Sequence, residues 1–167
     1  MGDNILKIYI GSDHRGVELK SKVIRYLKEN DLDVEDIGLE NSPADDYPKF
    51  AFKLGEMVRD HKGSLGILIC GSGVGMSIAA NKVKGIRCVR AVSVDDAFKG
   101  KNHNGANVMA LGSEVTPDFN LVKEMIDTFI TTKAPSEERH LKRVQAIRMY
   151  EDCLLYTSPS PRDTERC

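Results

Sequence analysis

Several groups of residues in this 167-residue chain are of types that can move a proton and hold an oxyanion. Cys70-Gly71-Ser72-Gly73-Val74-Gly75 is the densest. Its glycines leave backbone N–H groups able to converge on an anion where a helix begins. A cysteine beside such amides sits in a setting that favours the thiolate, the form that acts as base or nucleophile. Without those glycines, Cys70 would read as a small buried hydrophobe. The run is no dinucleotide fingerprint, because Met76 stands where the third glycine is needed. It is no Walker A loop either, since no Gly-Lys-Ser/Thr follows.

Three further groups could serve the same chemistry. Asp13 and His14 lie in Gly11-Ser12-Asp13-His14-Arg15-Gly16, between an apolar run and a helical pattern. Helix capping by Asp13 and a polar site are equally good readings there. His103-Asn104 occupies a polar loop just before a strand, and the reading puts it close to the sheet edge that carries the glycine loop. Arg139 and Arg143 are four residues apart on a helical pattern, so both guanidinium groups can reach one anion. A solvated basic face, balanced by Glu137 and Glu138, is the plainer alternative.

Strand and helix patterns alternate regularly around these groups. Strand patterns run over Ile5 to Ile10, Val34 to Ile37, Leu65 to Cys70, Ile86 to Val94 and Asn107 to Leu111. Leu65 to Cys70 is apolar nearly throughout and bounded by glycines, the pattern of a central strand buried on both faces. Helical spacing begins at Val17 with Leu19, Val23, Tyr26 and Leu27, and returns from Pro48 to His61, through Ile78 and Ala80, and from Asp95 to Lys101. A polar loop through Asn41-Ser42-Pro43 precedes the second of these. Two closing helices are predicted, Phe119 to Ile130 after Thr116-Pro117-Asp118 and Glu137 to Asp152, the latter with Ser136 as N-cap. The expected fold is α/β, a Rossmann-like three-layer sandwich: a five-stranded parallel sheet with helices on both faces and a C-terminal helix. In such sheets ligands bind beyond the carboxyl ends of the strands.

One domain is expected over residues 1–152. Residues 153–167, where serine and proline alternate without an apolar period, read as a disordered or non-native tail. A net charge of −1, from 24 basic and 25 acidic residues, excludes bulk attraction to nucleic acid. The four cysteines form no CxxC pair and no Cys/His group has zinc-ligand spacing, so the expectation is free thiols, no metal and no cofactor. No segment approaches the roughly 20 apolar residues of a membrane span, and no secretory signal pattern stands at Met1-Gly2-Asp3-Asn4, which points to the cytoplasm.

Several of these motifs occur together in one order: Gly11-Ser12-Asp13-His14, then Asp46-Tyr47-Pro48, then the run from Ile69 to Lys82. They are followed by His103-Asn104 before Ala106-Asn107-Val108, and by Arg139-His140 with Arg143. Over about residues 5 to 150 the chain thereby resembles the ribose-5-phosphate isomerase B family. The resemblance implies a homodimer or homotetramer whose active sites draw residues from two subunits, with a sugar phosphate as substrate. It implies Cys70 as the base that takes the C2 proton of the open-chain sugar. Ser72 and the amides of Gly71, Gly73, Val74 and Gly75 would hold the enediolate oxygen. His103 would open the furanose ring with Asp13 assisting, Asn104 would bind sugar hydroxyls, and His14, Arg139 and Arg143 would bind the phosphate.

The chain also departs from the family pattern. Glu114 stands where many members carry an arginine that contacts the phosphate, Ser72 replaces a common threonine, and Phe98-Lys99-Gly100-Lys101 differs from the usual sequence before the histidine. Ribose 5-phosphate is the expected substrate. The same constellation would serve allose or galactose 6-phosphate, although galactose 6-phosphate isomerases usually need two unlike subunits and this chain holds the whole set. A sugar-phosphate or nucleotide binding module without turnover is the reading from another class.

Overall fold

The computed structural model describes residues 6–38 and 46–156, without the side chains of 154–156. Strand β1 (Lys7–Ser12) leads through a 3-10 turn (His14–Gly16) into α1 (Val17–Glu29) and then β2 (Asp33–Asp36). Next come α2 (Tyr47–Asp60), β3 (Leu65–Cys70), α3 (Val74–Ala80), β4 (Cys88–Arg90) and α4 (Val94–Asn102). The order closes with β5 (Val108–Gly112), α5 (Phe119–Thr131) and α6 (Glu138–Tyr156).

All five strands are parallel, in the order β2-β1-β3-β5-β4. The chain steps from β1 to β2 on one side and returns to β3 on the other. That reversal opens the crevice between the carboxyl ends of β1 and β3 in which such sheets bind ligands. The period-2 alternation of β3 builds the two cores. Leu65, Ile67 and Ile69 pack against α1 and α5 through Val23, Leu27, Met125 and Phe129. Leu68 and Cys70 face the opposite way, among Phe50, Leu54, Met76 and Ala80 of α2 and α3. Phe50 and Phe129 anchor one layer each and are almost wholly buried. Truncating either would cost about 3–5 kcal/mol.

The three-layer sandwich is as the sequence predicts, and its boundaries differ for identifiable reasons. The fourth strand is only Cys88–Arg90, not Ile86 to Val94. At its start the Arg87 N–H goes to Asn107 Oδ1 (2.9 Å). At its end the Val92 and Ser93 N–H groups both go to Asp96 Oδ2 (3.1 Å), within a capping box that starts α4. The Asn81 side chain covers the strand's open edge, accepting from Cys88 N–H at 2.7 Å and donating to Cys88 C=O at 2.9 Å. Ser136 is not the cap of the last helix: Glu137 directly precedes it and its carbonyl accepts from His140 and Leu141. That helix continues to Tyr156, so the first residues of the expected tail are helical. Residues from 157 onward, Ile5, and the Asn41-Ser42-Pro43 loop lie outside the described residues. Among the described residues no helix is long and apolar enough to cross a membrane, and no three His, Cys, Asp or Glu side chains converge on a metal position.

Candidate active site

At the carboxyl end of β3, Cys70 is 5% exposed and its Sγ accepts the Gly73 N–H at 3.1 Å. Gly73 adopts φ 75°, a left-handed conformation that glycine takes without strain, and this turns its N–H back toward the sulfur. The Ser72 hydroxyl accepts the Val74 N–H at 3.2 Å. The loop amides are therefore not all open, as the sequence suggests. Those of Gly73 and Val74 already brace the sulfur and the hydroxyl, which fixes both groups before any ligand arrives.

Asp13 and His14 flank the loop across the crevice. The Asp13 backbone N–H donates to the Ile69 carbonyl (3.1 Å), tying the end of β1 to the residue before Cys70. Asp13 Oδ1 caps the following turn, accepting from Arg15 N (2.9 Å) and Gly16 N (3.2 Å). The capping reading of Asp13 thus holds, and it leaves the buried carboxylate with one oxygen outside the cap. His14, the first residue of the turn, is exposed.

His103 and Asn104 do not share this edge. They end α4 and precede β5, and in a parallel sheet the loop before a strand lies at its amino end. Cys70 is in register with Gly112, whereas the Asn107 carbonyl bonds Gly66 N–H at the start of β3. Five residues of strand separate the two levels, roughly 16 Å at ~3.3 Å per residue. Arg139 and Arg143 join the amino-edge group from the first turns of α6. There the His103 ring stacks on the His140 ring, with centroids 4.3 Å apart and planes within 7°. Asn104 is exposed, and its backbone carbonyl accepts from Arg87 Nε at 3.1 Å. Arg139 and Arg143 are both exposed, with Arg139 Nε bonded to Glu137 Oε2 at 2.7 Å.

The fold brings to these two edges several further groups whose place no local pattern reveals. The Tyr47 ring lies on Gly75, where an added Cβ would meet ring carbons at 2.5 Å. Arg15 Nη1 pairs with Glu114 Oε1 at 3.3 Å, and both touch the space above Gly71. A guanidinium thus stands beside the glycine loop even though position 114 is acidic. Arg90 Nε donates to the Ser72 carbonyl at 2.9 Å. His140 is almost fully buried with no hydrogen-bond partner for Nε2. Burial, and the nearby His103, Arg139 and Arg143, hold its pKa below the ordinary histidine value against the opposing pull of Glu137. Tyr47 and His140 had a signal in the sequence as parts of the motifs that carry the family resemblance, and Glu114 as a departure from the family pattern, whereas nothing in the sequence points to Arg90.

Comparison with known proteins bears on this arrangement. Residues 8–147 match the family described as Ribose/Galactose Isomerase. A probable ribose-5-phosphate isomerase B of Mycoplasma pneumoniae is 45% identical over 146 residues, covering 86% of this chain and 94% of its own length. The solved ribose-5-phosphate isomerase B of Clostridium thermocellum superposes with a TM-score of 0.83 at 38% identity, covering 89% of this chain and 99% of that one. The Mycoplasma genitalium ribose-5-phosphate isomerase B, solved with bound ribulose-5-phosphate, gives a TM-score of 0.82 at 37% identity, covering 88% and 97%.

Proposed function

The chain belongs to the ribose/galactose isomerase family, and from that premise we propose that it interconverts D-ribose 5-phosphate and D-ribulose 5-phosphate through an enediolate. The observation that carries the reading is the Cys70 thiol, set at the end of the central strand with its sulfur on a loop amide. The similarity to a structure holding ribulose-5-phosphate supports the pentose as substrate.

In this mechanism the Cys70 thiolate removes the C2 proton from the open-chain aldose. The C–H electron pair moves into the C1–C2 bond and the carbonyl pair onto oxygen. Deprotonation beside a carbonyl is feasible only when fixed donors meet that developing oxyanion. Ser72 and the loop amides of Gly71 and Gly75 serve as those donors, with Gly73 and Val74 holding the sulfur and hydroxyl in place. Returning the proton to C1, and shifting the hydroxyl proton between the oxygens, gives the ketose. His103 opens the ring with Asp13, Asn104 orients hydroxyls, and His14, Arg139 and Arg143 hold the phosphate. The Arg15 guanidinium compensates for the acidic Glu114 near Gly71.

Because Cys70 and His103 lie at opposite ends of one sheet, a working site takes the first from one copy and the second from another. The enzyme is accordingly a homodimer, or a homotetramer built from two such dimers. Apolar residues left exposed on α3 (Val74, Ile78) and α6 (Leu141, Ile147, Tyr150) fit that association. Cys70 and Cys88 are free thiols, in keeping with work in the cytoplasm.

The test is NMR observation of the full chain with ribose, allose and galactose phosphates side by side. Equilibration of the pentose pair fastest is the expected result. Preference for a hexose phosphate would move the activity to that sugar, and binding without turnover of any would refute the isomerase.

A further inference from the structure

We propose that Arg90 is a positioning residue for the Cys70 thiolate, acting through the single peptide unit that joins Ser72 to Gly73. This rests on the reading of Cys70 as the base. Arg90 Nε–H donates to the Ser72 carbonyl oxygen at 2.9 Å. The N–H of the same peptide bond, on Gly73, donates to Cys70 Sγ at 3.1 Å. The guanidinium and the sulfur therefore grip opposite ends of one conjugated group. A cation on the carbonyl draws electron density from the nitrogen and makes the N–H a stronger donor. A stronger donor favours the ionised sulfur.

The same bond sets the direction of the peptide. With a glycine on its C-terminal side, the Ser72–Gly73 unit turns more easily than any flanked by side chains. Turned over, it would aim a carbonyl oxygen at the thiolate instead of an N–H. Arg90 opposes that by holding the oxygen on the far side. The reach from β4, across β5, depends on Gly112. A Cβ there would meet the Ser72 carbonyl carbon at 2.7 Å, so only a bare backbone lets the loop lie on the end of β5 within range of Arg90. Arginine suits the task because its planar head stays charged at every relevant pH.

Other charged or titratable groups stand at this edge: Asp13, His14 and Arg15 after β1, Glu114 after β5, Asp46 and Tyr47 at the start of α2, and Asp95 and Asp96 at the start of α4. All are left intact by a change at Arg90, so a shift in the thiol can be traced to it.

The experiment reads Cys70 ionisation directly, in the full chain and without sugar. Iodoacetamide alkylation is followed from acid to alkaline pH by peptide-resolved mass spectrometry, so each cysteine reports separately. Arg90→Gln, and Arg90→Met as a second variant that keeps the aliphatic stem, should raise the Cys70 midpoint by about one pH unit. Arg90→Lys should recover part of that shift. In the sugar assay the acid limb of the pH–rate profile should move up by the same amount, with kcat falling at neutral pH and KM little changed. A Cys70 midpoint unmoved in a folded Arg90→Gln or Arg90→Met chain overturns the proposal. If the midpoint moves while the wild-type chain isomerises no sugar, the isomerase reading fails and the Arg90 inference stands.

Discussion

The two edges of the sheet are built differently. At the carboxyl edge the reactive groups are fixed by backbone. Cys70 ends a fully buried strand, Gly73 N–H holds its sulfur, and Asp13 is bonded through its own N–H to Ile69 and through its carboxylate to two further amides. At the amino edge His103, Asn104, Arg139 and Arg143 sit at helix ends on long or rotatable side chains. Ring contacts of His103 with His140 and Phe98, and an ion pair of Arg139 with Glu137, restrain them. The contrast suits the work proposed for each half. Stabilising a developing oxyanion needs donors that do not reorganise, whereas holding a phosphate and opening a ring tolerate side chains that settle around the ligand. Under the proposed mechanism neither edge is a complete site, and the proposed dimer would bring the two halves together.

The largest expected effect removes the fixed half. Cys70→Ala should abolish exchange of the C2 proton with solvent, lowering turnover by about 10³-fold or more, as read by deuterium incorporation. Full exchange in this variant would reject the thiol as base. The sharpest test of the comparison mixes that variant with His103→Ala after unfolding and refolding together. Half of the random dimers are then hybrids with one intact site of two, so about a quarter of wild-type activity should return. If both groups served one chain's own site, nothing would return.

A smaller effect is expected at the adaptable edge. Arg139→Ala with Arg143→Ala should raise KM for the sugar phosphate by ~10²-fold while kcat changes less, because the proposed role of these groups is to grip a part of the substrate that does not react. An equal loss in kcat would instead tie them to the chemistry. The smallest effect concerns the stacked histidines. Burial and neighbouring charge lower the His140 pKa in the folded chain. The unfolded chain therefore binds the proton first, and stability falls as pH drops below about 6.5. His140→Phe, which keeps a ring on His103, should shrink the fall in Tm between neutral and mildly acid pH. An unchanged pH slope would show that another group sets it.

Much of the fold was legible because its signals are local. The apolar run of β3, the glycine turn after it and the Asp13 cap each depend on residues within a few positions of one another, and short-range sterics and capping decide them. The short fourth strand was not legible. Its ends are set by Asn107 and Asp96 drawing backbone N–H groups away from the ladder, and a run of apolar letters does not reveal that competition. Placing His103 beside the glycine loop failed for a related reason. Nearness to a strand in sequence says nothing of which end of the strand is meant until strand direction is fixed.

Which residues carry reactive side chains, and the alternation of strand and helix that holds them, follow from local sequence. Tertiary structure decided where those residues point. It put Cys70 and His103, the proposed base and ring-opening group, at opposite ends of the sheet, laid Arg15 and Glu114 over Gly71, and brought Arg90 to the Ser72 carbonyl. Such contacts join residues far apart in the chain, and they form only once strand order and direction bring the loops together.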